Sequence, residues 1–143
     1  MAPPQQQQQQ PAGAATKDAI TCHVLDTTAG RPASGIRVVL EQTGSSAAAA
    51  GQSRPATFEA RTDADGRIAR WQPSGETSLA VGDVLASLKG PSRWALRFDT
   101  ESYFGEGKTF FPEATIVFRV DEGQHYHVPL LLSPFSYTTY RGS

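Results

Sequence analysis

Arg93-Trp94-Ala95-Leu96-Arg97-Phe98 places Trp94, Leu96 and Phe98 on one side of an extended chain and the two arginines on the other. Apolar residues at every second position mark a half-buried β-strand, because successive strand side chains point to opposite faces. The same period recurs in Ile36, Val38 and Leu40, in Ile116, Phe118 and Val120, and in Tyr126, Val128, Leu130 and Leu132. Turn residues separate the runs: Ala29-Gly30-Arg31-Pro32, Asp65-Gly66, and Asp121-Glu122-Gly123. Strands are therefore predicted over 19–25, 36–42, 57–62, 67–71, 93–99, 114–120, 125–132 and 136–140. About seven or eight short strands of this kind pack as an all-β, antiparallel β-sandwich. Val81, Val84, Leu85 and Leu88 break the pattern with a helical stripe and predict one short helix. Glu101 to Gly107 is a second helical candidate, weakened by Gly105 and Gly107.

Outside the alternating runs the chain changes character. Residues 1–17 are a Gln/Pro-rich tail, with glutamines from Gln5 to Gln10 and no charge before Lys17, a composition that predicts disorder. Residues 18–143 form the domain, and 143 residues with 38% hydrophobic content are enough for one domain only. Gly44 to Pro55, rich in Gly, Ser and Ala, reads as a long flexible loop without chemistry of its own.

Charge and hydropathy remove whole classes of function. Thirteen Lys+Arg against fourteen Asp+Glu leave a formal charge of −1, so there is no electrostatic footprint for nucleic acid or an anionic membrane. The apolar run Val128 to Leu132 contains Pro129 and is far short of the roughly 20 residues that span a bilayer. Met1 to Ala15 has neither a cationic n-region nor an apolar h-region, so no secretory signal is expected. The single Cys22 forbids an internal disulfide and fits a reducing compartment. With no Ser-Lys-Leu ending, a cytoplasmic location is expected ahead of a peroxisomal one.

Chemistry concentrates on the three histidines. His125 and His127 stand at i and i+2 in a predicted strand whose other face is apolar, so both rings should project away from the core. His23 is opposed in the same way to Ile20, Cys22 and Val24 and shares its face with Thr21 and Leu25. Any one of them alone would ordinarily be a solvated side chain; a co-facial pair is less common. His-x-His with a third His is also the ligand spacing of a catalytic zinc, which stays open as an alternative. Asp63-Ala64-Asp65-Gly66 lacks the remaining ligands of a calcium loop and reads as a hairpin turn. Cys22 belongs to an apolar face, where a thiol is packed rather than reactive. Arg67 opens the strand after that turn and should share a face with Ala69 and Trp71.

Four blocks together resemble a known family: Cys22-His23-Val24-Leu25-Asp26-Thr27; Thr62-Asp63-Ala64-Asp65-Gly66-Arg67; Phe98-Asp99-Thr100 with Phe110-Phe111-Pro112-Glu113; and His125-Tyr126-His127-Val128-Pro129-Leu130 running on to Tyr140-Arg141-Gly142-Ser143. They resemble the transthyretin-like family in its purine-catabolic branch, the 5-hydroxyisourate hydrolases. The likeness extends from about residue 19 to Ser143, and only the tail and the 44–55 loop fall outside it. It implies a transthyretin-like sandwich assembled as a homotetramer, a dimer of dimers, with sites in clefts where subunits meet.

The resemblance further implies hydrolysis of the ring amide of 5-hydroxyisourate to 2-oxo-4-hydroxy-4-carboxy-5-ureidoimidazoline, with no metal and no cofactor. His23, Arg67, His127 and Ser143 match the family's catalytic positions, and Tyr140, Arg141 and Gly142 those that wall the substrate pocket. Imidazoles with pKa near about 6.5 can take a proton from water and pass it to the leaving nitrogen. Arg67 would face the carbonyls and the developing oxyanion, while His125 would be structural. The hormone carrier on the same fold lacks this His/Arg/His set and the Tyr-Arg-Gly-Ser ending, so their presence argues for the enzyme over the alternative, a ligand carrier without catalysis. The chain departs from the family at Phe135-Ser136, where Tyr-Gly is common, and in the 44–55 loop.

Overall fold

Trp94, Leu96 and Phe98 are fully buried, and the strand that carries them lies inside a five-stranded sheet. A computed structural model describes residues 17–45 and 55–143. The strands are β1 (Ile20–Asp26), β2 (Arg31–Pro32), β3 (Arg37–Ser45), β4 (Thr57–Arg61), β5 (Arg67–Ile68), β6 (Gln72–Ser74), β7 (Ser92–Phe98), β8 (Ala114–Val120), β9 (Tyr126–Ser133) and β10 (Ser136–Thr139). One sheet runs β6-β4-β3-β7-β8; the other runs β10-β9-β1-β2, with β5 also paired to β1. Val38, Leu40, Phe58, Trp94, Leu96 and Phe98 from the first meet Ile20, Cys22, Val24, Val128, Leu130 and Leu132 from the second in one core. Each large side chain so buried contributes roughly 1.5–3 kcal/mol.

All eight expected strands form, joined by the very short β2 and β6. The antiparallel expectation needs a correction: β1 and β9 pair in parallel, from Ile20 opposite Tyr126 to Asp26 opposite Leu132. Antiparallel neighbours can be joined by a hairpin, whereas these strands, with Thr21 and His127 106 positions apart, are free to run either way. The strand expected over 67–71 ends at Ile68. Asp18 causes this: its N–H donates to the Ala69 carbonyl and its carboxylate accepts from Trp71 N–H, both at 2.8 Å. Trp71 therefore turns into the core, its indole N–H donating to the Ile20 carbonyl at 2.8 Å, and does not share a face with exposed Arg67.

Both helical candidates form, as α1 (Val81–Ser87) and α2 (Thr100–Phe104). The apolar stripe buries Val81 and Val84, with Leu88 at the cap. Asp99 caps α2 by accepting from Ser102 N–H, and the helix stops before the glycines that weakened its longer span. Among the described residues no helix is long and apolar enough to cross a membrane. Positions 1–16 of the expected tail and 46–54 of the expected loop lie outside the described residues; Gly44 and Ser45 belong to β3.

The Asp65-Gly66 turn sets the position of β5. Asp63 Oδ1 accepts the N–H groups of Asp65 and Arg67 at 2.9 and 3.0 Å, and the Gly66 carbonyl accepts Val24 N–H at 2.7 Å. Gly66 has φ +76, and a Cβ there would lie 2.4 Å from the Val24 carbonyl oxygen. Alanine at this position combines left-handed strain with a backbone clash, so Gly66→Ala should cost roughly 2–4 kcal/mol. Urea unfolding should show a lower midpoint; an unchanged midpoint would mean that β1 and β5 do not approach this closely.

Candidate active site

The outward face of β1 carries Thr21 and His23, because Ile20, Cys22 and Val24 are drawn inward to the core. On one side of β1, β9 sets His127 in register with Thr21; on the other, β5 sets Arg67 in register with His23. Four polar side chains from three neighbouring strands thus occupy one patch of sheet. The His23 and His127 rings stand 6.3 Å apart between centroids, tilted by 34°. Thr21 Oγ1 lies 2.8 Å from His127 Nδ1.

The chain end closes this patch. Gly142 N–H donates to the His127 carbonyl at 2.8 Å, forming a bridge beyond β10 that carries Ser143 to the same place. An open cleft of about 690 Å³ results, with Arg67, His127 and Ser143 on its walls together with Lys17, Asp63 and Thr21. That volume falls in the range of roughly 300–1,000 Å³ typical of small-molecule sites. Gly142 is tightly placed: a Cβ would come within 3.0 Å of His127 Cδ2 and 3.1 Å of Pro129 Cγ.

Both rings are held below the ordinary imidazole pKa. For His127 the chief cause is loss of solvent, followed by the positive charges of Arg67, His23 and Lys17. For His23 it is again loss of solvent, then Arg67, opposed by a hydrogen bond to the Asp65 backbone and by the Asp63 and Asp65 carboxylates. Neutral imidazoles at neutral pH are able to accept a proton. Cys22 is fully buried and its thiol is pushed far up by desolvation, as expected of a packed cysteine.

Not every expected site residue reaches the cleft: His23 adjoins His127 but is not among the residues that wall it, and Tyr140 and Arg141 stand apart from it. His125 is exposed and precedes β9, so the strand alternation expected to make it co-facial with His127 does not reach it. It stands on the rim shared by the cleft and a smaller hollow of about 270 Å³ beside α1. Among the described residues no group of three His, Cys, Asp or Glu is placed to hold a metal ion. Tyr140 and Arg141 line a separate groove of about 300 Å³ with Ile116, Phe118 and Tyr126, the Arg141 guanidinium lying 4.5 Å above the Tyr126 ring.

Several cleft residues are not marked as site residues by the sequence, among them Lys17, Asp18, Thr21 and Asp63. Thr21 is visible there as a neighbour of His23 on one strand face, but nothing in the residue order pairs it with His127. Lys17, assigned to the tail, is brought to the cleft beside Asp18, whose two hydrogen bonds anchor the segment.

The HIUase/Transthyretin family model matches residues 20–142. A probable 5-hydroxyisourate hydrolase of Schizosaccharomyces pombe is 39% identical over 127 residues, covering 87% of this chain and 91% of the relative. The structure of Klebsiella pneumoniae 5-hydroxyisourate hydrolase superposes with a TM-score of 0.56 at 28% identity, covering 87% of this chain and 92% of that one. Sea bream transthyretin in complex with thyroxine superposes with a TM-score of 0.61, also at 28% identity, covering 87% and 94%.

Proposed function

The chain belongs to the HIUase/transthyretin family and hydrolyses 5-hydroxyisourate in urate degradation; from that premise we propose that His23, Arg67, His127 and Ser143 carry the reaction without metal or cofactor. One observation carries this reading: three adjacent strands place His127, His23 and Arg67 side by side on one face, under a chain end that contributes Ser143. The substrate's ring amide enters this cleft. As water attacks the carbonyl carbon, the His127/His23 pair takes its proton; the C–N bond then breaks and the leaving nitrogen receives that proton. Arg67 offers its forked N–H groups to the oxyanion formed in between. The Ser143 hydroxyl orients the water. The loss of solvent and the neighbouring positive charge that favour the neutral rings also make a protonated ring a ready acid, which suits a proton that must be passed on.

Assembly into a homotetramer, a dimer of dimers, belongs to the same proposal. β10 and β8 are edge strands of the two sheets, and their residues flank the groove of Ile116, Phe118, Thr139 and Tyr140. Unpaired edges with exposed Val117 and Tyr140 invite pairing with a second copy. Tyr140, Arg141 and Gly142 would then wall the substrate site where clefts and neighbouring subunits meet. The reaction is placed in the cytoplasm, supported by a lone, buried Cys22; imaging of a fusion tagged at the N-terminus checks this.

Ultraviolet spectroscopy of freshly generated 5-hydroxyisourate tests the chemistry. The protein should accelerate its decay, at a rate unchanged after exhaustive chelation and dialysis. Activity lost with chelator and restored by zinc would overturn the metal-free mechanism. Saturable binding of aromatic ligands without turnover would instead favour the carrier.

A further inference from the structure

Thr21 sits beside the Nδ1 edge of the His127 ring, and both residues line the cleft. Its Oγ1 is 2.8 Å from Nδ1, and the two residues are direct partners in the parallel β1–β9 pair. Across the ring, Gly142 leaves no more room than a hydrogen in place of a Cβ, which would otherwise sit 3.0 Å from Cδ2. The imidazole thus has a hydroxyl at its Nδ1 edge and Gly142 close to its Cδ2 edge, while Nδ1 is the ring nitrogen with an intramolecular partner among the described residues. A β-branched threonine is well suited to this grip because its χ1 is stiff on a strand.

We infer that Thr21 is a positioning residue that accepts a hydrogen bond from His127 Nδ1–H and so assigns proton transfer to Nε2. This rests on the proposed mechanism, in which His127 moves the proton. In the resting state Nδ1 keeps its hydrogen and the Nε2 lone pair faces water. When the water oxygen bonds to the carbonyl carbon, one of its protons goes to Nε2, and Nδ1–H still donates to Oγ1. When the C–N bond breaks, the Nε2 proton goes to the leaving nitrogen and the original tautomer returns. A hydroxyl serves both protonation states without the extra stabilisation of imidazolium that a carboxylate in this position would give. His127 thus has an orienting partner, while loss of solvent, with the charges of Arg67, His23 and Lys17 beside it, favours its neutral form.

The test uses the full-length protein in its native assembly, with Thr21→Val, Thr21→Ser and His127→Ala. Ring ¹⁵N NMR of the wild type should show the Nδ1–H tautomer for His127, and Thr21→Val, which keeps the branched shape, should show a mixture of tautomers. Thr21→Val should also lose roughly tenfold or more in kcat with little change in KM. The acid limb of kcat/KM should move to lower pH, since the lost bond favours imidazolium, and Thr21→Ser should restore both rate and tautomer. A wild-type His127 in the Nε2–H form overturns the proposal. So does full kcat in Thr21→Val when His127→Ala is inactive. Near-normal turnover in His127→Ala overturns the mechanism beneath it, whatever the NMR reports.

Discussion

His127→Ala and His23→Ala are each expected to lower kcat/KM for 5-hydroxyisourate by roughly 10²–10⁴-fold, the usual worth of a positioned acid–base group. The fold should survive in both, because these rings project from the outer face of the sheet while the inner faces of β1 and β9 carry the core. His125→Ala is the control: that residue is exposed and outside β9, so its loss should be mild. Circular dichroism and initial rates on the three variants decide the matter, and near-normal turnover in either of the first two would remove it from the site. The pH profile follows from the same geometry. Since desolvation and Arg67 lower both imidazole pKa values, the acid limb of kcat/KM should lie below about pH 6.5, with activity lost as the rings protonate. Arg67→Gln removes one positive neighbour, so both rings should titrate at higher pH when followed by NMR.

The second large effect is expected at the chain end. Gly142 N–H holds the His127 carbonyl, Gly142 packs against the ring, and Ser143 lines the cleft. A tag fused after Ser143 must leave through the cleft or pull the Gly142 bridge apart. Displacing His127 by about an ångström is enough to cost roughly 10²-fold. Turnover with a C-terminal hexahistidine tag should therefore fall by that order, whereas the same tag at Met1 should leave it unchanged. Light scattering on both proteins separates a damaged site from a damaged assembly. Equal turnover would place Ser143 outside the chemistry and leave it to the two histidines and Arg67.

Much of this is legible in the residues. Period two in Arg93 to Phe98 and in Tyr126 to Leu132 identifies the buried faces, since one water-excluded side is all that alternation needs to express. The same alternation sends His23 and His127 away from the core. Asp65-Gly66 announces its turn because few other residues tolerate φ +76 so close to a neighbouring carbonyl. His125 shows where this reading ends: the alternation extends one residue too far, as hydrophobicity does not mark the point where backbone pairing with β1 begins at Tyr126.

The amino-acid sequence by itself determined which faces are buried, where the chain turns, and which polar residues are candidates for chemistry. Tertiary structure alone decided who stands beside whom. Strand partners are joined by backbone hydrogen bonds that nearly all residues make alike, so alternation encodes a face but neither a neighbour nor a direction. The parallel pairing of β1 with β9 brings Thr21 to His127, and the β1–β5 pair brings Arg67 to His23. The Asp18 anchor carries Lys17 to the cleft, while Arg141, two residues from Ser143, is held in another groove above Tyr126. These neighbourhoods follow from burying both sheets' apolar faces in one core, a condition on the whole chain that no single stretch of it contains.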